Sequence, residues 1–252
     1  MDFKTLHHQE KPLLIHNVWD VTSAKIAATQ NAQAIGTSSS AIAALLGYND
    51  GEEISFSELA YMVKRIVANT KLPLSVDLEA GYSRNASEII HHIKELINIG
   101  VVGINIEDSI IVNGKRSLVA AESFSKLLSE IIDQLEKDNL QIFINVRIDT
   151  FLLGVVNTLE ATKRRIKLYE KAGVSGIFIP CIEQESAIKQ MVESTKLPIN
   201  VMSMPKLPNF ETLQNLGVKR ISMGNFLFDA MYAQLEKITA QIISDQSFKS
   251  IF

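Results

Sequence analysis

Six charged residues sit at the ends of three short apolar segments, in a spacing that could do chemistry. Asp77 and Glu79 close Ser75-Val76-Asp77-Leu78-Glu79, Glu107 and Asp108 close Asn105-Ile106-Glu107-Asp108, and Arg147 and Asp149 close Asn145-Val146-Arg147-Ile148-Asp149. In an extended strand successive side chains alternate between faces. Ser75, Asp77 and Glu79 therefore share one face, as do Asn105 with Glu107 and Asn145 with Arg147 and Asp149. Val76, Leu78, Ile106, Val146 and Ile148 share the other. The opposing reading is that each strand stops a residue or two early and its charges are solvated; one pattern repeated in three segments weighs against it.

Buried charges need partners or a metal. Four of these carboxylates, Asp77, Glu79, Glu107 and Asp108, with no histidine or cysteine cluster beside them, suit a hard divalent cation, Mg²⁺ with Mn²⁺ as the alternative. Such an ion prefers oxygen ligands, keeps several waters and often uses only one or two carboxylates directly. Asp77, Glu79 and Glu107 are the candidate ligands. Asp108 follows Glu107 directly, faces the other way and is left out. Arg147 could neutralise surplus carboxylate charge or grip an anionic substrate with two N–H groups. A divalent cation beside an arginine suits a reaction that builds negative charge on oxygen, such as an enolate.

The elements that would position these groups follow from periodicity. Strands are expected at 13–18, 34–38, 72–78, 103–107, 141–148, 176–180, 198–203 and 220–223. Helical spacing runs over 20–30, 55–69, 86–98, 121–137, 157–172, 184–194, 209–216 and roughly 225–245. About eight strand-then-helix units over 252 residues favour closure into a (β/α)8 barrel of the α/β class, read as a single domain over 1–252. Catalytic groups collect at the C-terminal rim of such a barrel, where the charged ends fall. No Gly-x-Gly-x-x-Gly follows the first strand, which disfavours a dinucleotide fold. Thr70-Lys71-Leu72-Pro73 recurs as Thr195-Lys196-Leu197-Pro198, and Gly100-Val101-x-Gly103-Ile104 as Gly173-Val174-x-Gly176-Ile177. These echoes fit either a half-barrel duplication or a loop solution reused. After the second strand, Thr37-Ser38-Ser39-Ser40 reads either as a helix N-cap or as a cradle for an anion.

Composition narrows the class. With 25 Lys+Arg against 28 Asp+Glu the net charge is −3, and no basic stripe marks a nucleic-acid surface. Apolar runs are too short to span a membrane, and the first residues lack a secretory pattern, so a cytoplasmic protein is expected. One cysteine, Cys181, excludes an internal disulfide and a thiolate metal cluster.

The ordered set of motifs resembles the isocitrate lyase/phosphoenolpyruvate mutase superfamily. The matching stretches are Asn17-Val18-Trp19-Asp20, Thr37-Ser38-Ser39, Gly47-x-x-Asp50, Asp77-Leu78-Glu79-Ala80-Gly81-Tyr82, Gly103-Ile104-Asn105-Ile106-Glu107-Asp108 and Asn145-x-Arg147-x-Asp149. They continue with Gly176-Ile177-Phe178-Ile179-Pro180, Pro198-Ile199-Asn200-Val201 and Gly217-Val218-x-Arg220-Ile221-Ser222-x-Gly224. The resemblance implies a barrel whose last helical segment, about 225–252, is exchanged between subunits, usually in a dimer of dimers. It implies Mg²⁺ holding a small carboxylate substrate, with C–C or P–C chemistry through an enolpyruvate-like species. By position, Asp77 would bind the metal directly, with Glu79 and Glu107 acting mostly through its waters. Arg147 would stabilise the charged intermediate, Ser38 and Ser39 would hold the carboxylate, and Asp50 would line the pocket near the reacting group. Trp19 and Asn200 would contact substrate.

Two departures stand out. Glu79 replaces the aspartate of the best-known members. The lid after the fourth strand, Ser109-Ile110-Ile111-Val112-Asn113-Gly114-Lys115-Arg116-Ser117-Leu118, lacks the cysteine and histidine of isocitrate and methylisocitrate lyases. It also lacks the lysine-rich lid of the mutases. The expected function is therefore a Mg²⁺-dependent lyase acting on a small 2-oxo or 2-hydroxy acid, by decarboxylation or retro-aldol cleavage, with oxaloacetate as the first substrate. The rivals are mutase- or hydrolase-type P–C chemistry and an inactive binding barrel. Cys181, His91, His92 and the Met202/Met204 pair read as packing or surface residues. The absence of a lysine in any expected strand end disfavours a Schiff base.

Overall fold

The computed structural model describes residues 2–252. Eight parallel strands close a barrel: β1 (Leu13–Val18), β2 (Ala34–Thr37), β3 (Leu74–Asp77), β4 (Gly103–Glu107), β7 (Phe143–Arg147), β8 (Gly176–Ile179), β9 (Ile199–Met202) and β10 (Arg220–Ser222). They neighbour one another in that order, with β10 returning to β1. The missing numbers, β5 (Ser109–Val112) and β6 (Lys115–Leu118), form an antiparallel hairpin outside the barrel. The helices between are α1 (Val21–Thr29), α2 (Ser39–Leu46), α3 (Phe56–Val67), α4 (Ala86–Ile99), α5 (Ala121–Lys137), α6 (Thr158–Lys171), α7 (Glu185–Glu193), α8 (Phe210–Asn215) and α9 (Phe226–Asp245).

All eight expected strands are present, one or two residues shorter at several ends. Two elements add to the expected strands and helices. The segment after Ser38 is a helix, α2, in keeping with the N-cap reading of the Thr-Ser-Ser-Ser run: Ser38 caps it by accepting from the Ala41 N–H at 3.3 Å and left-handed Gly47 ends it. The lid is a tight hairpin, because Asn113 and Gly114 both take positive φ, the conformation a two-residue turn between twisted strands requires.

Alternation along the strands separates two cores. Val76, Ile104, Ile106, Val146, Ile148 and Ile177 face outward and pack under the helices in one large apolar cluster. Inside, the N-terminal end of the barrel is plugged by Leu13, Ile15, Ala34 and Phe143, with Phe3 and Leu6 from the segment before β1. His7 belongs to this plug, stacked 4.0 Å from the Phe143 ring. With that end filled, the interior is open to polar side chains only toward the C-terminal rim.

The last helix leaves an apolar stripe uncovered. Leu227, Met231 and Leu235 recur every four residues on one side of α9 and are exposed, Leu235 by 55%. Leu227 and Met231 border a small groove of about 130 Å³ with Trp19, Ile26 and Ala27. Among the described residues no helix is long and apolar enough to cross a membrane.

Candidate active site

The interior polar residues stand in two layers. In the deeper one, Asn145 donates to Asn105 at 2.9 Å and to Asn200 at 3.1 Å, and Asn200 donates to Ser222 Oγ at 3.2 Å. Arg220, fully buried, reaches Asn105 Oδ1 at 3.3 Å and leaves its Nε and Nη1 without partners. Burial pushes its guanidinium down to about 9, against the pull of Asp77.

One step toward the rim, Asp77, Glu107, Arg147 and Asp149 meet. Glu107 and Arg147 are opposite one another on adjoining strands, and Arg147 Nη1 lies 3.2 Å from Glu107 Oε2. Arg147 Nε donates to Asp149 Oδ1 at 2.6 Å. Asp77 receives a hydrogen bond from Ser39 Oγ at 2.8 Å, and its own N–H donates to Thr37 Oγ1 at 2.8 Å. The two serines thus divide the two readings of their motif: Ser38 caps α2, and Ser39 serves the site. Asp108, on the opposite face as expected, is fully buried under α6 and accepts from Arg165 at 2.8 Å and Tyr169 at 2.9 Å.

Glu79 arrives by a different route from the one alternation suggests. β3 ends at Asp77, and Glu79 takes a left-handed φ of 48°. The turn still buries its carboxylate, with Oε1 accepting from the Tyr82 hydroxyl at 3.0 Å and Oε2 unpartnered. Asp50, on the loop after α2, lies at the exposed edge of the site.

Sequence reasoning missed Arg116. From β6 its Nη1 contacts Glu107 Oε1 and Ser109 Oγ, and its Nη2 reaches Asp50 Oδ2 at 3.2 Å. The signal was available: Asn113-Gly114 between two four-residue runs specifies a hairpin whose register pairs Ile111 with Arg116.

Five carboxylates (Asp50, Asp77, Glu79, Glu107, Asp149) therefore share the rim with two guanidiniums. Burial and then the Asp77 charge push Glu79 up to about 8. Burial lifts Glu107 to about 7, with Arg147 opposing, and burial also raises Asp77. Arg147 stays firmly charged: its burial is outweighed by Glu107, Asp149 and Asp77. Such an excess of buried acid, together with the orphaned Glu79 Oε2, fits a hard divalent cation. No three acidic, histidine or cysteine side chains are grouped closely enough to enclose a metal among the described residues.

Of the other expected contacts, Asn200 lies in the deeper layer with its amide engaged there. Trp19, at the end of β1, is 5% exposed and packs edge-on to Phe228 of α9 at 5.3 Å. Cys181 has a left-handed φ of 62°, and burial raises its thiol, which does not favour a thiolate nucleophile.

The model of the family described as phosphoenolpyruvate phosphomutase matches residues 3–243. An uncharacterized protein of Mycobacterium tuberculosis is 29% identical over 246 residues, covering 97% of this chain and 90% of the relative. The oxaloacetate decarboxylase of Ectopseudomonas mendocina is 27% identical over 253 residues, covering 97% and 83%. A crystal structure of a candidate phosphonomutase from Burkholderia cenocepacia superposes with a TM-score of 0.88 at 31% identity, covering 95% and 97%. The chain belongs to the phosphoenolpyruvate phosphomutase family and is an enzyme of the isocitrate lyase/phosphoenolpyruvate mutase superfamily of lyases and mutases.

Proposed function

We propose that this enzyme is a Mg²⁺-dependent lyase that decarboxylates or cleaves a small 2-oxo or 2-hydroxy acid, with oxaloacetate as the leading substrate. The observation that carries the reading is the Arg147–Glu107–Asp149 constellation beside Asp77, a charged arginine and a row of acids at the C-terminal rim of the barrel. The similarity to an oxaloacetate decarboxylase over nearly the whole chain supports it.

Asp77 would hold the cation, and Glu79 and Glu107 would receive hydrogen bonds from its waters. A bound cation would supply stabilisation for negative charge growing on the substrate's oxygens. The chain's own part is electrostatic. Arg147, pinned by Asp149, directs a fixed positive charge at the same place, and costs no reorganisation as the charge develops. Ser39 orients Asp77. In decarboxylation the bond to the departing carboxylate breaks, its electron pair passes into the enolate of pyruvate, CO₂ leaves, and the enolate carbon takes a proton from water. That sequence needs no acid on the hairpin, whereas retro-aldol cleavage needs a base for a hydroxyl proton. A hairpin without cysteine or histidine is compatible with that sequence.

The test is pyruvate release from oxaloacetate with and without Mg²⁺. Metal-dependent turnover supports the reading, and its absence with release of phosphate or phosphoenolpyruvate from phosphonopyruvate favours P–C chemistry instead. The similarity to a candidate phosphonomutase keeps that second reading open to test.

The exposed stripe of α9 and the Trp19 groove beside it are the parts of the surface best suited to a second copy of the chain. We propose a homo-oligomer built through this helix, as a dimer of dimers, in the cytoplasm.

A further inference from the structure

The hairpin β5–β6 reaches the barrel mouth at two points that fall on adjacent residues of one loop. Ile111 lies against Gly51, where any side chain would collide with its Cδ1, and Arg116 pairs with Asp50. Ile111 and Arg116 are themselves cross-strand partners, so the apolar and the ionic contact sit side by side at one end of the hairpin.

The two ends of the Arg116 guanidinium are held very differently. Nη1 is anchored among buried groups: Glu107 Oε1, Ser109 Oγ at 2.9 Å, and Asp149 Oδ2 at 3.5 Å. Nη2 meets only Asp50, whose side chain is 43% exposed, and among the described residues no hydrogen bond uses Nε. The Arg116 side chain is 14% exposed, so it is on the Asp50 side that this pair meets solvent, which makes it the more readily exchanged of the two ends. The Nε and Nη2 hydrogens point the same way and form one of the two edges with which a guanidinium grips a carboxylate by parallel hydrogen bonds. That edge borders the acid layer, because Nη1 of the same guanidinium is bound to Glu107 and lies 3.5 Å from Asp149.

We infer that Arg116 is the specificity-determining residue of the hairpin: its Nε/Nη2 edge exchanges Asp50 for a second acidic group on the substrate, selecting diacids over monoacids. Arg147 and Arg116 then stand on either side of Glu107, one for the reacting end of the substrate and one for its far end. This inference rests on the proposed reading of the site as one for small oxygen acids.

The test uses matched ligands, lactate and malate, which share a 2-hydroxy acid end and differ by one carboxylate, with oxalate as a control for the inner site. Each is titrated calorimetrically into the wild type, Arg116→Lys and Arg116→Ala in the presence of Mg²⁺. The wild type is expected to bind malate about tenfold or more tighter than lactate, the scale of a charge-assisted pair. Arg116→Ala should bring malate and lactate within about threefold; it also strips Glu107 of a cation, so any loss shared with oxalate is divided out and the malate-to-lactate ratio is what is read. Arg116→Lys keeps a cation for Glu107 but has no two-pronged edge, and it should narrow the gap if the alanine variant fails to fold. A gap that survives in the lysine variant, or malate and lactate weakening equally in the alanine variant, would overturn the role. Oxalate binding without any malate preference in the wild type refutes this inference alone, whereas binding of none of the three refutes the reading of the site itself.

Discussion

Arg147 and Glu107 are register partners across β4 and β7, and their side chains meet at the barrel mouth with Nη1 3.2 Å from Oε2. The strand register thus builds the central ion pair of the site, with no loop required to bring the two residues together. Asp149, two residues further on, completes the clamp from the same strand end.

Replacing Arg147 by lysine keeps one positive charge but loses the fork that engages Glu107 and Asp149 together. Turnover of oxaloacetate should fall by roughly 10²–10³-fold, the scale of losing one directed electrostatic contact. Initial rates of pyruvate release check this, and a fall of less than about threefold would remove Arg147 from the chemistry.

His7 is buried in the barrel plug, and burial drives its ring down to about 3 from 6.5. A group with a depressed folded value contributes stability above 6.5 that is lost as pH falls toward 3. The full effect is on the order of 5 kcal/mol. Urea unfolding of the wild type and His7→Phe between pH 7.5 and 4 should show the wild type losing stability faster. The raised carboxylates Glu79 and Glu107 run the other way, since their protonated forms are favoured on folding and that stability is lost as pH rises toward 8 and 7. The difference between the two proteins cancels that common slope.

Asp108 joins three donors: Arg165, Tyr169 and the N–H of Asp149. Removing its carboxylate strands a buried guanidinium, so Asp108→Ala should cost about 3–5 kcal/mol in chemical denaturation. Its neighbour Glu107 serves the site, and Glu107→Gln should cost activity at a smaller loss of stability.

These two adjacent acids also mark how far the sequence could be read. Alternation alone sends Glu107 into the barrel and Asp108 under α6, and it separates Val76, Val146 and Ile148 from Asp77 and Arg147 correctly. It fails at Glu79, where the strand has already ended and a left-handed backbone directs the side chain. It is silent on α2, whose eight residues look like a plain apolar run until Ser38 is seen to cap them. Arg116 was hidden for another reason. Its partners are Glu107, Asp50 and Asp149, and the contact with Asp50 spans 66 positions of chain, so only the folded hairpin brings them together.

The uncovered side of α9 predicts association. Light scattering behind size-exclusion chromatography should give a mass well above one chain, and a Met231→Glu, Leu235→Glu double substitution should shift it toward the monomer. A monomeric wild type at micromolar concentration would leave the stripe unexplained.

On the proposed reading a divalent cation and an enolate-like anion share the barrel mouth through Asp77. The most direct measurement is thermal stabilisation by oxalate with and without Mg²⁺, in the wild type and in Asp77→Ala. At about 100 times its Kd a ligand adds roughly 2.7 kcal/mol, a clear rise in Tm. A rise that needs oxalate, Mg²⁺ and Asp77 together is expected. A rise of equal size without Mg²⁺ or in Asp77→Ala, or none at saturating ligand, would contradict it.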